Sequence, residues 1–322
     1  MKARAALSLL GFAAALSSAA CVHGTSVTTF DARTLRATIT NEATPMRATY
    51  FPSTAPRTRR RDVPLVVVEP ILFRRELLYR GGDGGLVSYL QSEGFPVWLV
   101  WIDAPSPPDA RSLSRGIAET VASIAKESGV RRVDLIGLSL GAEATLRALE
   151  PLTAPGSAVE IRRVVFLGGG LDFAYPHSFA SRVASVRGGP ASAMCSLDGD
   201  VGCAREFHAA ATAVPWLGAI PVADDDELLG ARERFPFVGR FMHLPVLFVA
   251  GKADGLAPSE AIFPVYSLWG SEESDAGKVP KLFFLAGREN GLGWDFDAFD
   301  LLSEERGERV WEHVVGWLAR GE

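Results

Sequence analysis

The sequence predicts an α/β fold: a mostly parallel sheet flanked by helices, with an insertion between the strand ending near Leu167 and the strand starting near Val246. Three observations predict it. Apolar runs and helical patterns alternate along the chain from Pro64 onward, as in consecutive strand–helix crossovers. The apolar runs are continuous rather than alternating, so both faces of the sheet must be covered, the condition of a parallel sheet with right-handed connections. The alternation then lapses from 174 to 243 and resumes. At 322 residues and 48% hydrophobic content the chain is long enough to bury one large core.

Taken in order, Lys2 and Arg4 precede an apolar run from Ala5 to Leu16, then the small residues Ser17 to Ala20 and Cys21. The run is too short to span a bilayer and has the layout of an export signal over residues 1–20. A cysteine directly after Ser18-Ala19-Ala20 resembles the bacterial lipoprotein cleavage site, with serine where leucine usually stands three positions earlier. The resemblance implies a lipid on Cys21 and attachment to a membrane of the cell envelope; plain cleavage nearby is the alternative.

Residues 21–62 carry two candidate strands, Leu35 to Thr40 and Met46 to Phe51, as an opening antiparallel pair that ends in a Pro/Arg linker. The core is expected over 63–173 and 244–322. It begins with a strand from Pro64 to Val68, a helix near Gly85 to Ser92 and a strand from Val97 to Ile102. A helix from Leu113 to Lys126 follows, with Leu113, Ile117, Val121 and Ile124 on one stripe and Gly129 as its stop. Then come a strand at Val133 to Ile136, a helix at Ala142 to Leu149 and a strand at Val164 to Leu167. After the insertion come strands at Val246 to Ala250 and Leu282 to Leu285, and a closing amphipathic helix from Arg306 to Arg320. The insertion, 174–243, is expected to form a lid over the sheet end; Trp216 and Phe235-Pro236-Phe237 are candidates to line an apolar pocket or to form the lid's own core. It also holds Cys195 and Cys203, close enough to close a small disulfide loop in an oxidising compartment, or else two separate buried thiols.

Composition removes several function classes. A net charge of −5 and a single basic cluster at Arg57, Arg59, Arg60 and Arg61 exclude a nucleic-acid surface. No His-Glu-x-x-His or Cys-x-x-Cys stands in the chain, so no metal is expected. Gly168-Gly169-Gly170 follows a strand but lacks the spacing that cradles a pyrophosphate, so no cofactor is expected.

What carries chemistry is Gly137-Leu138-Ser139-Leu140-Gly141, between a strand end and a helix start. A serine there sits on a sharp turn with its Oγ lifted clear of the sheet, and the helix start favours negative charge growing on a substrate carbonyl oxygen. With its surroundings, this motif resembles the α/β-hydrolase fold, and within it the polyhydroxyalkanoate-synthase-like branch. The resemblance covers about Val63 to Leu318. Besides the Ser139 elbow it rests on Val66-Val67-Val68-Glu69-Pro70-Ile71, Gly94-Phe95-Pro96-Val97-Trp98-Leu99-Val100-Trp101, and Gly251-Lys252-Ala253-Asp254 with Pro258. Polymer synthases of that branch usually carry a cysteine nucleophile, so serine implies ester hydrolysis of a small-molecule or acyl substrate.

The resemblance implies Asp254 as the acid of a triad, with a helix-capping role near Pro258 as the alternative and Asp172 as a substitute. It implies the backbone N–H groups of Leu140 and Ile71 as oxyanion donors, although Glu69-Pro70 stands where many relatives have His-Gly. The segment Asn290 to Leu302 is similar to the one that carries the catalytic histidine, but Ala298 holds that position. A serine without a base is a weak nucleophile. His313, His177, His208 and His243 are the remaining candidate bases, and a non-catalytic envelope protein that binds an acyl or polymer ligand is the rival reading.

Overall fold

The computed structural model describes residues 22–23, 26–31, 36–41, 46–69, 78–79, 84–102, 110–169, 242–255, 257–271 and 278–320. The export segment, Cys21, Ile71, Asp172, His177, Cys195, Cys203, His208 and the lid up to residue 241 lie outside these residues.

Among the described residues ten strands form one sheet in the order β1-β2-β3-β4-β6-β5-β7-β8-β9-β10. Strands β1 (Val22–His23), β2 (Ser26–Asp31), β3 (Arg36–Asn41) and β4 (Met46–Phe51) make an antiparallel meander, and β4 joins β6 (Val97–Ile102) antiparallel. From β6 across β5 (Leu65–Val68), β7 (Arg132–Leu138), β8 (Glu160–Leu167), β9 (Val246–Gly251) and β10 (Lys281–Ala286), every pairing is parallel. The opening unit is therefore larger than the predicted pair. β2 escapes the sequence pattern because Ser26-Val27-Thr28-Thr29 carries only one apolar position in four.

The inner parallel strands are apolar over most of their length because both of their faces are covered. Leu65 and Val67 point to one core with Leu86, Leu90, Val310, Trp311 and Val314, from helices α1 (Leu86–Ser92) and α5 (Glu304–Leu318). Val66 and Val68 point to the other, with Ile117, Val121, Ile124, Leu146 and Ile262 from α2 (Ala110–Glu127), α3 (Leu140–Thr153) and α4 (Ser259–Leu268). The predicted stripe of α2 is the buried one. Gly129 stops the helix, left-handed at φ 67° with its N–H on Lys126 C=O at 3.1 Å.

One buried ion pair ties the far end of the fold together. Arg162 on β8 donates to Asp134 on β7 (Nε to Oδ1, 2.9 Å), and Arg162 and Arg163 both hold the Leu318 carbonyl at the end of α5 (3.1 and 2.6 Å). This lies at the N-terminal edge of the strands, leaving the C-terminal edge to the site.

Candidate active site

Ser139 follows β7 and caps α3 with φ 50° and ψ −124°. It is the one non-glycine residue with positive φ among the described residues, a conformation that costs about 1–3 kcal/mol and persists only where surroundings enforce it. Those surroundings are backbone. The Ser139 N–H donates to Leu167 C=O at the end of β8 (3.0 Å), and the Ser139 C=O accepts from Ala142 N–H (2.9 Å). A methyl group on Gly137 would lie 2.6 Å from Ala142 Cα, and one on Gly141 would lie 2.1 Å from the Glu69 carbonyl oxygen. The two motif glycines therefore let α3 drop onto the ends of β7 and β5.

That approach brings the first turn of α3, including the Leu140 N–H with no acceptor inside the helix, against the loop that leaves β5. Glu69 anchors this loop. Its N–H donates to Val100 C=O and its carboxylate accepts the Ile102 N–H, both at 2.9 Å, so it pins the exit of β5 to β6. Sequence reasoning treated Glu69 only as a departure from His-Gly; its structural work depends on a cross-strand partner 33 positions away, which no local pattern announces.

Asp254 stands just past β9 and is 3% exposed. Its Oδ1 accepts the Ala257 N–H at 2.8 Å, so the capping role exists, as the turn ahead of α4. Its other oxygen faces the end of β8: a methyl on Gly168 would lie 3.8 Å from Asp254 Oδ2 and 3.0 Å from Leu301 Cδ1. Leu167 C=O, which takes the Ser139 N–H, is the preceding residue. Serine and carboxylate thus flank the end of the same strand, β8.

The segment expected to bring the base does arrive beside the carboxylate. Phe296 C=O accepts the Ala253 N–H (2.9 Å), and the Asp297 carboxylate accepts the Phe299 and Asp300 N–H groups (2.8 and 2.7 Å), closing a turn around residue 298. Ala298 itself is 2% exposed within the apolar cluster that holds Phe296, Leu301 and Leu302. It supplies no proton acceptor.

Two of the alternative bases are displaced by the fold. His313 is exposed on α5, its ring tilted against that of Phe284 of β10 at 4.2 Å between centroids. His243 is exposed just before β9, at the opposite end of the strands from Ser139. Among the described residues no group of three or more His, Cys, Asp or Glu residues is arranged to hold a metal ion.

A buried carboxylate that the sequence reading did not single out lies one turn along α3 from the serine. Glu143 takes both the Nε and Nη2 of Arg147 on Oε1 (3.1 and 2.6 Å), and burial pushes its carboxyl above the ordinary range in spite of that cation. Its signal was present as a Glu–Arg pair at i, i+4.

The sheet and its flanking helices match solved structures over most of their length. The fold is the α/β-hydrolase fold. The monoacylglycerol lipase of Paleococcus ferrophilus matches 85% of this chain and 98% of its own at 17% identity and a TM-score of 0.50. A Pyrococcus furiosus esterase matches 92% of this chain and 90% of its own at 12% identity and 0.53. No family model and no curated protein matches the sequence.

Proposed function

We propose that this α/β-hydrolase-fold protein is an exported hydrolase that cleaves a carboxylic ester through an acyl-enzyme on Ser139. The observation that carries the reading is the positive φ of Ser139, held by close backbone contacts. Ser139 Oγ attacks the ester carbonyl carbon and its proton passes to a base. The oxyanion draws on the Leu140 N–H and a second donor, Ile71, from the loop that Glu69 anchors. The alcohol leaves, and water then attacks the acyl-serine and releases the acid.

Asp254 is the acid, and the position beside it belongs to Ala298, so the base is unconventional: His177 or His208 from the insertion, or a water. An esterase and a monoacylglycerol lipase among the solved structures support ester substrates. Serine in place of the cysteine of the polymer-synthase-like branch supports hydrolysis over polymer growth. The segment ending at Cys21 supports export and a lipid anchor in the bacterial cell envelope, and a Cys195–Cys203 disulfide fits that compartment. Ala298 also favours a second reading, in which the pocket binds an acyl or polymer ligand without turnover.

The test uses a fluorophosphonate probe and a short-chain p-nitrophenyl ester on the purified protein and on Ser139→Ala. Labelling and turnover that vanish in Ser139→Ala are expected. A folded wild type silent in both assays overturns the hydrolase and leaves the binder.

A further inference from the structure

Among the described residues the sheet ends at β10, and the direction of that strand's main-chain groups follows from its neighbour. Val246 N–H donates to Pro280 C=O (3.1 Å) and Lys252 N–H to Ala286 C=O (3.0 Å), with Leu282 level with Leu247. Leu282, Phe284 and Ala286 therefore turn their N–H and C=O groups toward β9, and Lys281, Phe283 and Leu285 turn theirs away from the sheet. On that side, among the described residues, the Leu285 carbonyl accepts from the Asn290 amide at 2.6 Å.

An open edge is commonly protected by a charge, a proline or a bulge. Here the strand interior is Leu282-Phe283-Phe284-Leu285, in unbroken register with β9. Its one cation is turned away: Lys281 Nζ donates to the carbonyls of Tyr266, Ser267 and Trp269 (3.0, 3.0 and 2.9 Å) and so caps the end of α4. Among the described residues the exposed large hydrophobics are Phe263 at 51% and Leu282 at 37%, and they flank this strand from its two faces. Phe263 packs on Phe283 on the α4 side (5.5 Å), whereas Leu282 shares the α5 side with Phe284.

We propose that β10 pairs antiparallel with β10 of a second copy, about a two-fold axis at Phe283, joining two sheets into one. The parity of the strand fits that occupant. With the axis at Phe283, this residue and its counterpart exchange both main-chain bonds, and Lys281 and Leu285 pair across the axis. Leu282 meets the counterpart of Phe284, so the exposed side chain on each copy is covered by an apolar one. The contact is self-complementary and closes at two copies. A strand about 20 Å long between helical layers roughly 10 Å to either side presents an edge of about 400 Å² per protomer, so a stable dimer also buries the adjoining faces of α4 and α5.

Sedimentation velocity on the purified protein at micromolar concentration is expected to show a dimer. Phe283→Pro removes an outward N–H and none that reaches β9, and Leu282→Lys places a charge beside the axis. Each is expected to weaken the dimer by about tenfold or more while far-UV circular dichroism is unchanged. If Phe283→Pro fails to fold, Leu282→Lys decides alone. A monomeric wild type, or a dimer that survives Leu282→Lys, overturns the proposal.

Discussion

Around Ser139, at the ends of β5 and β7, three backbone segments approach so closely that a methyl on Gly137 or Gly141 has no room. Around Asp254, at the ends of β8 and β9, the packing is as tight, with a methyl on Gly251 falling 2.5 Å from Phe296 C=O. The two regions differ in what the tight packing delivers. On the first, the contacts hold Ser139, itself 6% exposed, at the N-terminus of α3 with a positive φ. On the second, the turn packed beside Asp254 carries Ala298, which offers no proton acceptor. Nucleophile geometry is a property of the backbone and survives as long as its glycines do. A base is a single side chain on a loop, which one substitution removes without disturbing the fold.

The largest expected effect tests the nucleophile side. Gly141→Val forces a branched side chain onto Glu69 C=O, moving the first turn of α3 off β5. Overpacking of this kind costs about 1–3 kcal/mol, and a displacement near 1 Å at a catalytic centre costs on the order of 100-fold in rate. Thermal melting and fluorophosphonate labelling of this variant are expected to fall together. Gly316, a helical glycine of α5 with nothing within 4 Å of an added methyl, is the control. Gly316→Ala is expected to raise stability by about 0.5–1 kcal/mol with labelling unchanged. Equal labelling in both variants would mean that the Gly141 contact does not position the serine.

The same contrast explains what could be read in advance. The order of strands and helices from β5 to α5, the Ser139 elbow and the location of Asp254 were legible because each depends on local pattern: apolar runs, a five-residue turn, a carboxylate one turn past a strand. β1 and β2 were not, since Val22-His23 and Ser26-Val27-Thr28-Thr29 carry too few apolar residues to show a period. The jobs of Glu69 and Glu143 were not legible either. The carboxylate of the first finds its partner on the neighbouring strand, 33 positions on, and the second is buried only because the fold covers its side of α3. The absence of a histidine at 298 was visible in sequence; that residue 298 is buried in an apolar cluster was not.

The next effect in size tests the base side. Ala298→His places an imidazole on the turn whose Phe296 carbonyl already holds the Ala253 N–H next to Asp254. A positioned general base contributes about 10²–10⁴-fold, and a larger side chain in that cluster costs about 1–3 kcal/mol. Higher ester turnover with a lower melting temperature is the expected pair of results, and the new activity should fall at acid pH as the imidazole is protonated. A folded variant with no gain would mean that residue 298 is not the base position or that the pocket has drifted.

The smallest effect concerns Glu143, which belongs to the nucleophile side but works through charge. Its folded pKa lies above its unfolded value because burial penalises the anion more than Arg147 favours it. The native state therefore holds the proton more tightly, and this carboxyl favours folding most at acid pH. Its contribution falls as pH rises from the ordinary glutamate range through the raised value. Glu143→Gln keeps the shape and removes the titration. It gives up an i, i+4 pair whose arginine side chain is 35% exposed, a loss of about 0.3–0.5 kcal/mol, while relieving the larger desolvation term. The variant is expected to melt above wild type at pH 8 and to lose that advantage toward pH 4. A lower melting temperature at both pH values would mean that the ion pair outweighs burial, making the carboxylate a brace for α3 rather than a charge the fold tolerates.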